Sequence, residues 1–463
     1  MKINSKIQNF LLCVSLLCII LFSTVTLSSC TDSLQYVAET KTEYIQNIED
    51  LKSDDDLNYH YVSQYLRALG TPVFDINKAI YFEEAFRQYF NLAPGLPDKV
   101  THAILSAEYF VENYYDTVEF SDKNAVTDAV ITSYVNVIGD IYSVYRPKEE
   151  SDEHLDDMSG KFGGIGVTIE FNYIEETAMI IGVNNGSPAE RAGVAVGDYI
   201  YAVDEKTIEE IGFNNIADYT RGEVGQPVKL TVKRGEELIS FTITREIMDE
   251  DSVGYLIDDD GIAYIRIYSF KENTYEQFVE AVDYIKSQGA RGVIFDLRNN
   301  LGGYVDSAVN ILSYILPSDR EIVSYDFKNG KHVSLKSSDD KHPTTGEIYD
   351  HTLDLPMAVI CNQYTASAAE IFTSTIRDYR NMSLLDAAIV GQTTYKKGIL
   401  QFTFPYQRDG SSVTLTIAYY APPSGECYHG IGITPDHLVE NTQTEDVQFS
   451  ESYRLLLDLV NNN

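Results

Sequence analysis

Apolar residues recur at helical spacing through the first third of the chain. Between Val100 and Tyr115 they fall on one helical face, at Ala103, Ile104, Ala107, Phe110 and Val111. Residues 125–145 repeat this spacing, and an acidic run follows from Glu149 to Asp157. The pattern predicts a helical region over residues 30–150, with the acidic run as a solvated linker to the next domain.

The pattern changes to short β-rich runs between residues 158 and 247. Turn residues separate five such runs, namely Ile165–Phe171, Ala178–Val183, Tyr199–Val203, Val228–Lys233 and Ile239–Thr244. One short helical segment, Pro188 to Ala192, ends at Gly193. We expect a small β-domain over residues 158–247.

Strand and helix patterns alternate over residues 248–440. Strands are predicted at Gly261–Ile267, Gly292–Leu297 and Met357–Cys361, and helices at Thr274–Gln288, Ser307–Leu316 and Ala366–Tyr379. This alternation is typical of an α/β domain with a largely parallel sheet. Residues 441–463 are expected to form a tail with a helix at Val447–Val460. The helical region, the β-domain and the α/β domain together predict a multidomain α+β fold.

The first 29 residues have the parts of a secretion signal. Lys2 and Lys6 give the segment a positive start, and an apolar run follows over Phe10–Leu27. Two serines, Ser28 and Ser29, then precede Cys30. Small residues before a cysteine resemble the bacterial lipobox, whose cysteine is lipidated after cleavage. We therefore expect a protein of the bacterial cell envelope, outside the cytoplasm and anchored to the membrane by lipid on Cys30. An ordinary signal peptide and an uncleaved anchor helix are the alternatives.

Length, charge and cysteine content narrow the functional classes. A chain of 463 residues is too long for one ordinary core, so two or three domains are expected. A net charge of −35 opposes binding to phosphate backbones and argues against a nucleic-acid partner. Beyond the signal segment and Cys30, Cys361 and Cys427 are too few for a disulfide framework or a cysteine metal cluster.

A candidate nucleophile lies in the segment Thr365-Ala366-Ser367-Ala368-Ala369-Glu370. Ser367 follows a buried strand and a short turn, and a helix is predicted to begin beside it. Unpaired backbone N–H groups and the positive end of the helix dipole lie at such a position, which suits a nucleophile whose product oxyanion needs donors. A serine that merely caps the helix is the alternative.

A candidate base lies in the segment Thr394-Tyr395-Lys396-Lys397-Gly398-Ile399-Leu400-Gln401. A lysine deprotonates a serine only when its amine is neutral, and burial lowers a lysine pKa in that direction. Gly398 and its apolar neighbours favour tight packing around Lys397, and Gln401 is placed to orient the amine. A surface turn is the alternative.

A third segment, Asp296 to Gly303, ends a buried strand in a polar turn with two glycines. Glycine lets the backbone approach a ligand and aim its N–H groups inward, as an oxyanion hole requires. A phosphate loop would continue with Lys-Ser/Thr, which is absent here. A plain strand-to-helix turn is the alternative.

In this order, the three segments resemble the C-terminal processing peptidases, also called tail-specific proteases. The family's nucleophile motif, Ser-Ala-Ser-Ala-Ser/Ala-Glu, matches Thr365–Glu370, and its base motif, Thr-Phe/Tyr-Gly-Lys-Gly-x-x-Gln, matches Thr394–Gln401. The resemblance implies Ser367 as nucleophile, Lys397 as base and Gln401 as its partner. It implies an oxyanion hole from the N–H groups of Ala368 and of Gly302 or Gly303.

Three features depart from the family motifs. Lys396 replaces a glycine beside the base, and the interval from Ser367 to Lys397 is slightly long for the family; Leu301 also replaces a proline in the glycine turn. The second amine either lowers the pKa of Lys397 by repulsion or points to solvent. None of these departures removes a catalytic group.

The β-domain resembles a PDZ domain. The segment from Phe162 to Val167 is similar to a carboxylate-binding loop, which implies peptide binding by Gly163, Gly164, Ile165 and Gly166. Arg221 also fits the family pattern and is expected to couple peptide binding to catalysis, with a plain surface charge as the alternative.

Together these resemblances imply a serine endopeptidase that binds substrate C-termini, with an α/β domain of crotonase-like fold and neither metal nor cofactor. Protein or peptide substrates are the expected partners, and a homo-oligomer or an activating adaptor stays open. Three rival interpretations remain. They are a catalytically inactive peptide-binding scaffold, a Ser–His–Asp hydrolase using His429 or His437, and a crotonase-like enzyme acting on acyl thioesters.

Overall fold

The computed structural model describes residues 75–90, 99–172, 177–212, 215–338 and 353–462. The predicted signal segment and Cys30 lie outside these residues. None of the helices within them has the length and apolar content needed to cross a bilayer. The chain divides into two compact units. The first holds residues up to Asp152 together with Asp326–Lys331 and Ile399–Tyr419, and the second holds Glu153–Tyr325, His332–Gly398 and Tyr420–Asn463.

The described residues form eleven α-helices. They are α1 (Ile76–Tyr89), α2 (Lys99–Asn113), α3 (Lys123–Asn136), α4 (Lys148–Ser159), α5 (Pro188–Ala192), α6 (Ile208–Ile211), α7 (Ile216–Thr220), α8 (Thr274–Ser287), α9 (Val305–Ile315), α10 (Ala368–Asn381) and α11 (Val447–Asn462).

The same residues form nineteen strands, several of them very short. They are β1 (Val144–Arg146), β2 (Lys161–Gly164), β3 (Val167–Asn172), β4 (Thr177–Val183), β5 (Tyr199–Val203), β6 (Lys206–Thr207), β7 (Pro227–Arg234), β8 (Glu237–Thr244), β9 (Glu246–Asp249), β10 (Val253–Ile257), β11 (Ile262–Ile267), β12 (Gly292–Asp296), β13 (Glu321–Phe327), β14 (His332–Lys336), β15 (Met357–Cys361), β16 (Ala387–Gly391), β17 (Ile399–Pro405), β18 (Ser412–Ala421) and β19 (His437–Leu438).

The first unit combines helices α1 to α3 with a small antiparallel sheet. Strand β18 pairs with β1 and with β17, and aromatic residues of α1 such as Phe82 and Phe86 share a core with Val413 and Leu415 of β18. The sequence predicts only helix before residue 150 and one continuous α/β domain after 248. The first unit ends at Asp152, close to the predicted boundary, but it also contains strand β1 and residues 399–419, because β1 pairs with β18 of the distant hairpin β17–β18.

The predicted acidic linker is a helix, and its acidic side chains are exposed to solvent as expected. Residues 149–157 lie within α4. Glu149 and Glu150 are in its first turn, where their negative charges interact favourably with the positive end of the helix dipole. Lys148 forms an ion pair with Asp152 one turn later. Ser151 is buried and donates a hydrogen bond to the Ser412 hydroxyl at 2.8 Å, which anchors the start of the helix.

The β-domain is an antiparallel sheet in the order β3-β4-β5-β7-β8, which leaves β3 at an edge. Its core is aliphatic and includes Ile180, Val203, Leu230 and Val232. Helix α5 spans the predicted residues and ends at Gly193, whose φ of 91° is left-handed and favours glycine. A separate two-stranded ribbon, β2 with β9, joins the start and the end of the domain.

The α/β region is built on a six-stranded sheet in the order β10-β11-β12-β15-β16-β19. All pairs from β11 to β19 are parallel, and β10 is antiparallel to β11. Leu456 of α11 packs on Ile294 and Ala358 of the sheet. Because the strands are parallel, the turns after β12 and β15 lie at the same edge of the sheet. The predicted fold class, multidomain α+β, is confirmed.

Candidate active site

The predicted nucleophile lies where a buried strand turns into a helix. Strand β15 ends at Cys361, and Ser367 immediately precedes α10. The backbone of Ser367 has φ 55° and ψ −117°, a conformation that residues with a side chain rarely adopt. A strained strand-to-helix turn of this kind presents a serine hydroxyl at the start of a helix.

Hydrogen bonds from two sides hold this strained turn. Ala366 donates its backbone N–H to the Asn300 carbonyl at 2.9 Å, and Ser367 donates its N–H to the Glu370 carboxylate at 2.9 Å. Strain in a backbone persists only where the surroundings fix it. These bonds supply that constraint.

Glu370 is fully buried and ties the nucleophile segment to the base segment. Its carboxylate accepts hydrogen bonds from the backbone N–H groups of Ser367, Lys396 and Lys397 at 2.8 to 2.9 Å, and from the Thr394 hydroxyl at 2.6 Å. Burial raises the pKa of Glu370, while these hydrogen bonds act in the opposite direction. One carboxylate thus fixes the backbone of Ser367 relative to that of Lys397.

The base segment lies between β16 and β17. Lys397 is half-buried, and the following Gly398 packs closely against the next loop, where a Cβ would lie 2.8 Å from the backbone nitrogen of His429. Lys396 is exposed and has φ 83°, a left-handed conformation that glycine adopts without strain. The family motif therefore carries glycine there for a backbone reason, and the extra amine of this chain lies on the surface.

Gln401, the predicted partner of the base, lies on β17 in the first unit. Its side-chain amide donates a hydrogen bond to the Tyr142 carbonyl at 2.5 Å, within the same unit. The role of Gln401 in orienting Lys397 stays a prediction.

The glycine turn after β12 packs directly on the nucleophile. A Cβ at Gly302 would lie 2.7 Å from the Cβ of Ser367, and a Cβ at Gly303 would lie 2.1 Å from the Phe270 carbonyl oxygen. Both glycines have positive φ, 101° and 139°. Any side chain at either position would push the turn away from Ser367 or from Phe270.

The predicted oxyanion donors differ in how they are used. Gly302 donates its N–H to the Asn300 side chain at 2.8 Å, and that buried side chain in turn donates to the Ile267 carbonyl at 2.8 Å. Among the described residues, the N–H groups of Gly303 and Ala368 donate to no acceptor. The geometry therefore favours Gly303 over Gly302 as the second donor.

Two buried tyrosines lie near Glu370, the residue that holds the nucleophile segment. Burial raises the pKa of Tyr420, and the interaction of its hydroxyl with the Ser367 side chain opposes the rise. Burial likewise raises the pKa of Tyr428 well above its usual value. Both phenols are therefore neutral at physiological pH, and Tyr420 meets the serine hydroxyl as a neutral partner.

The sequence interpretation assigned no role to Glu370, Asn300 or Tyr420. Glu370 had a usable signal, since it is an acidic residue at the third position of a helix whose neighbours Ala369 and Ile371 are apolar. Of the histidines considered as an alternative base, His437 is on the short edge strand β19, with its Nδ1 3.8 Å from the Glu451 carboxylate.

The predicted carboxylate loop of the β-domain is closed by main-chain contacts. The Gly163 carbonyl accepts the Gly222 N–H at 3.0 Å, and a Cβ at Gly163 would lie 1.9 Å from the Gly222 carbonyl oxygen. Within the described residues, the N–H groups of Ile165 and Gly166 donate to no acceptor. Gly164 belongs to β2 and pairs with Glu246 of β9.

Arg221 connects this loop to the ribbon below it. Its guanidinium lies 4.1 Å from the centre of the Phe162 ring and 3.8 Å from the Glu250 carboxylate. Glu250 also accepts a bond from Lys271, an almost buried lysine that contacts Asp157 of α4 at 2.8 Å. Arg221, Glu250 and Lys271 therefore form a continuous series of contacts that begins beside the predicted carboxylate loop.

Lys271 is adjacent to the residue that holds the glycine turn. Phe270 donates its N–H to the Gly302 carbonyl at 2.9 Å and accepts the Tyr304 N–H at 2.7 Å. The residue next to Lys271 is therefore hydrogen-bonded to the turn that contacts Ser367.

Two family models match the chain. "Peptidase family S41" matches residues 261–439, and "PDZ domain" matches residues 179–234. The first covers the α/β region with its site, and the second covers most of the β-domain.

Named relatives match a longer stretch of the chain. "Carboxy-terminal processing protease CtpA" of Bacillus subtilis is 31% identical over 329 residues, covering 71% of this chain and 66% of the relative. "Carboxy-terminal-processing protease" of Bartonella bacilliformis is 32% identical over 355 residues, covering 74% and 76%. The solved "photosystem II D1 C-terminal processing protease" is 22% identical with a TM-score of 0.43, over 78% of this chain and 92% of that one.

Proposed function

The chain belongs to peptidase family S41, and from this premise we propose that it is a serine endopeptidase with Ser367 as nucleophile and Lys397 as general base. The neutral Lys397 amine takes the proton of the Ser367 hydroxyl as its oxygen attacks a peptide carbonyl. The N–H groups of Ala368 and Gly303 stabilise the oxyanion. The Lys397 ammonium then protonates the departing amine, which leaves an ester on Ser367.

Water completes the cycle. Lys397, neutral again, takes a proton from the water that attacks the ester, and the carboxylic acid product leaves as Ser367 regains its proton. The single observation that carries this mechanism is the Glu370 carboxylate, which binds the backbone N–H groups of both Ser367 and Lys397. The roles of Lys397 and Gln401 rest on their positions in the family motif.

The β-domain is proposed to bind the C-terminus of the substrate. The open N–H groups of Ile165 and Gly166 suit a carboxylate, and the edge strand β3 can add an extended peptide by main-chain pairing. Arg221, Glu250 and Lys271 are proposed to transmit this binding to the glycine turn beside Ser367.

We also propose secretion and lipid anchoring at Cys30 in the bacterial cell envelope, on the sequence of the first 30 residues. The test is a Cys30→Ser variant expressed in bacteria and fractionated. The unchanged protein is expected with the membranes and the variant in the soluble extract; equal membrane binding of both would contradict the lipid anchor.

The main test is proteolysis of an unstructured protein with an apolar C-terminus, using the chain that lacks residues 1–30. We expect cleavage by this chain and none by its Ser367→Ala or Lys397→Ala variants. Lys396→Ala is the matched control, because its amine is exposed on the same segment, and it should retain activity. Cleavage by Lys397→Ala at the normal rate would exclude the Ser–Lys mechanism. Absence of cleavage by every form would favour the inactive scaffold.

Selection of substrates needs a second assay. Removing the last few residues of the test protein should slow its cleavage, because the new C-terminus still has a carboxylate for Ile165 and Gly166 but lacks the apolar residues that would pair beside it along β3. Equal rates with and without the tail would show that the β-domain does not select substrates.

A further inference from the structure

A cavity lies at the edge of the parallel sheet where the strands end. It has a volume of about 420 Å³, and its walls come from residues at or beyond the carboxyl ends of β11, β12, β15, β16 and β19. Ligands of parallel sheets bind at this edge. The lining is almost wholly amide, guanidinium and carboxylate groups, and it includes no residue used in the proposed catalysis.

One wall of the cavity is rigid. Arg298 binds the buried Asp296 carboxylate through Nε and Nη2, and its Nη1 donates to Asp446 at 2.7 Å. Gln448, 2% exposed, donates its side-chain amide to the Val439 carbonyl at 2.9 Å. These charges and amides are therefore compensated within the protein and are held in place before any ligand arrives.

Arg266, at the end of β11, differs from Arg298. Within the described chain its Nε is buried without a hydrogen-bond acceptor, and no carboxylate lies within ion-pair distance of its guanidinium. Its guanidinium carbon lies 5.1 Å from the centre of the Tyr268 ring, and its charge also acts on the nearby Tyr264. A buried N–H without an acceptor costs free energy, and a guanidinium fork matches a carboxylate in shape. Arg266 therefore provides an unused site for an anion.

Glu440 contributes the opposite charge. Its carboxylate contacts the Gln392 amide at 3.4 Å and has no cation within ion-pair distance among the described residues. The cavity thus contains one cation and one anion that the protein leaves without a charged partner. A ligand with both charges would neutralise each of them.

We propose that this cavity binds an α-amino acid or the equivalent end groups of a short peptide, with the α-carboxylate on Arg266 and the ammonium group towards Glu440. The amide side chains of Asn362 and Gln363 supply further donors and acceptors for such a ligand. Peptides are one source, since they are the products of the proposed protease; that source rests on the proposed function, whereas the binding site does not.

Occupancy of the cavity would act on the catalytic loops. Asn299 and Asn362 line the cavity and bind each other, through the Asn299 N–H at 3.0 Å and the Asn362 amide at 2.9 Å. Asn299 precedes the glycine turn, and Asn362 precedes the nucleophile segment. A ligand on these amides therefore contacts both the loop that precedes the glycine turn and the loop that precedes the nucleophile segment.

The test is calorimetric titration of the full-length chain in detergent with four small ligands. L-alanine and L-alanyl-L-alanine carry both charges, L-alaninamide lacks the carboxylate, and N-acetyl-L-alanine lacks the ammonium group. We expect L-alanine or the dipeptide to bind, L-alaninamide to bind at least tenfold more weakly, and N-acetyl-L-alanine to fall between. Tighter binding of the dipeptide than of alanine identifies peptides as the source, and the reverse identifies free amino acids. Equal binding of alanine and alaninamide, or no heat from any ligand at millimolar concentration, would overturn the proposal.

Variants locate the site. Arg266→Gln should weaken L-alanine binding about tenfold, while Arg291→Gln, which alters an exposed arginine of the same region, should leave it unchanged. The ligand series on the unaltered chain remains decisive if Arg266→Gln folds poorly. Binding without proteolysis would reject the proposed function but retain the site, and proteolysis without binding would do the opposite.

Discussion

The β-domain and the protease region each contain a buried carboxylate, and the two are held in different ways. Asp198, 1% exposed, accepts bonds from the Arg234 guanidinium at 2.6 and 2.8 Å and from the Ala195 N–H at 2.9 Å. The Arg234 hydrogen bond is the main cause that lowers the pKa of Asp198. Glu370 accepts bonds from one hydroxyl and three backbone N–H groups, and burial raises its pKa.

The comparison indicates that Asp198 stabilises the fold of the β-domain, whereas Glu370 positions the segments of the active site. A guanidinium compensates the desolvation of Asp198, so ionisation of Asp198 adds to stability. The donors on Glu370 belong to the segments that carry Ser367 and Lys397. Ionisation of Glu370 therefore lowers the stability of the folded chain, but the ionised carboxylate holds the Ser367 and Lys397 segments in position.

The largest effect is expected from Glu370→Gln. The amide keeps the shape of the side chain, but its NH₂ group faces N–H or O–H donors whichever way it is turned. We expect kcat/KM for a peptide substrate to fall about 100-fold, or about 2.7 kcal/mol, mostly in kcat. Glu276→Gln is the matched control, because Glu276 is an exposed glutamate in the first turn of α8. Near-normal kcat in Glu370→Gln would remove the distinction drawn between the two carboxylates.

Asp198→Asn should show the opposite profile, with stability lost and catalysis retained. We expect the free energy of unfolding, measured with urea, to fall by about 2 kcal/mol, because hydrogen bonds to a charged group are weakened. Cleavage of a short peptide should be unchanged. Asp218→Asn, at an exposed position of α7, should leave both unchanged. A similar fall in stability with Asp218→Asn would mean that net charge rather than the Arg234 pair is responsible.

A matched pair of glycine substitutions separates the two loops. Gly163→Ala would place a Cβ 1.9 Å from the Gly222 carbonyl oxygen, and Gly303→Ala would place one 2.1 Å from the Phe270 carbonyl oxygen. We expect Gly163→Ala to lower kcat/KM about tenfold, or about 1.4 kcal/mol, for a protein with an intact tail, and not for a short peptide. Gly303→Ala should slow both. A loss of short-peptide cleavage in Gly163→Ala would contradict the separate roles.

The smallest effect is on pH dependence. The folded chain holds the Glu370 proton more tightly than the unfolded chain does. The stability from this group is therefore fully present below the usual glutamate pKa of 4.5 and is lost as the pH rises through the higher folded pKa. Activity should rise over the same interval, because the ionised form accepts the four bonds. Glu370→Gln should remove this stability change, as urea unfolding across the interval would show.

Asp198 should act in the other direction. Its pKa is lowered on folding, so its stability is present above the usual aspartate value of 3.8 and is lost as the pH falls through the folded pKa. Asp198→Asn should reduce this acid-side loss. If both variants changed the same side of the profile, the opposite signs assigned to the two pKa shifts would be wrong.

Much of the fold could be predicted from local pattern. Strand β5, strand β15 and helix α5 have the predicted bounds, because alternation, a continuous apolar run and a Ser-Pro start with a terminal Gly193 are local signals. The acidic helix α4 was missed, since charge alone argues for solvent. Strand β1 was missed because its partner lies in β18, far along the chain.

The site divides in the same way. The motif order indicates Ser367 and Lys397, and the family is confirmed by the relatives. The hydrogen bond from Gly302 to Asn300, the proximity of Tyr420 to Ser367 and the four hydrogen bonds of Glu370 depend on how separate loops meet. No periodicity or spacing in the sequence reports such contacts.

The backbone of Ser367 has a consequence for the history of such chains. Glycine adopts φ 55° and ψ −117° without steric cost, so a Ser367→Gly change would release about 1–3 kcal/mol of strain while removing the hydroxyl. Where proteolysis is no longer under selection, folding itself then favours the loss of the nucleophile. We therefore expect some related chains to keep the fold but to have glycine in place of Ser367 and no proteolytic activity.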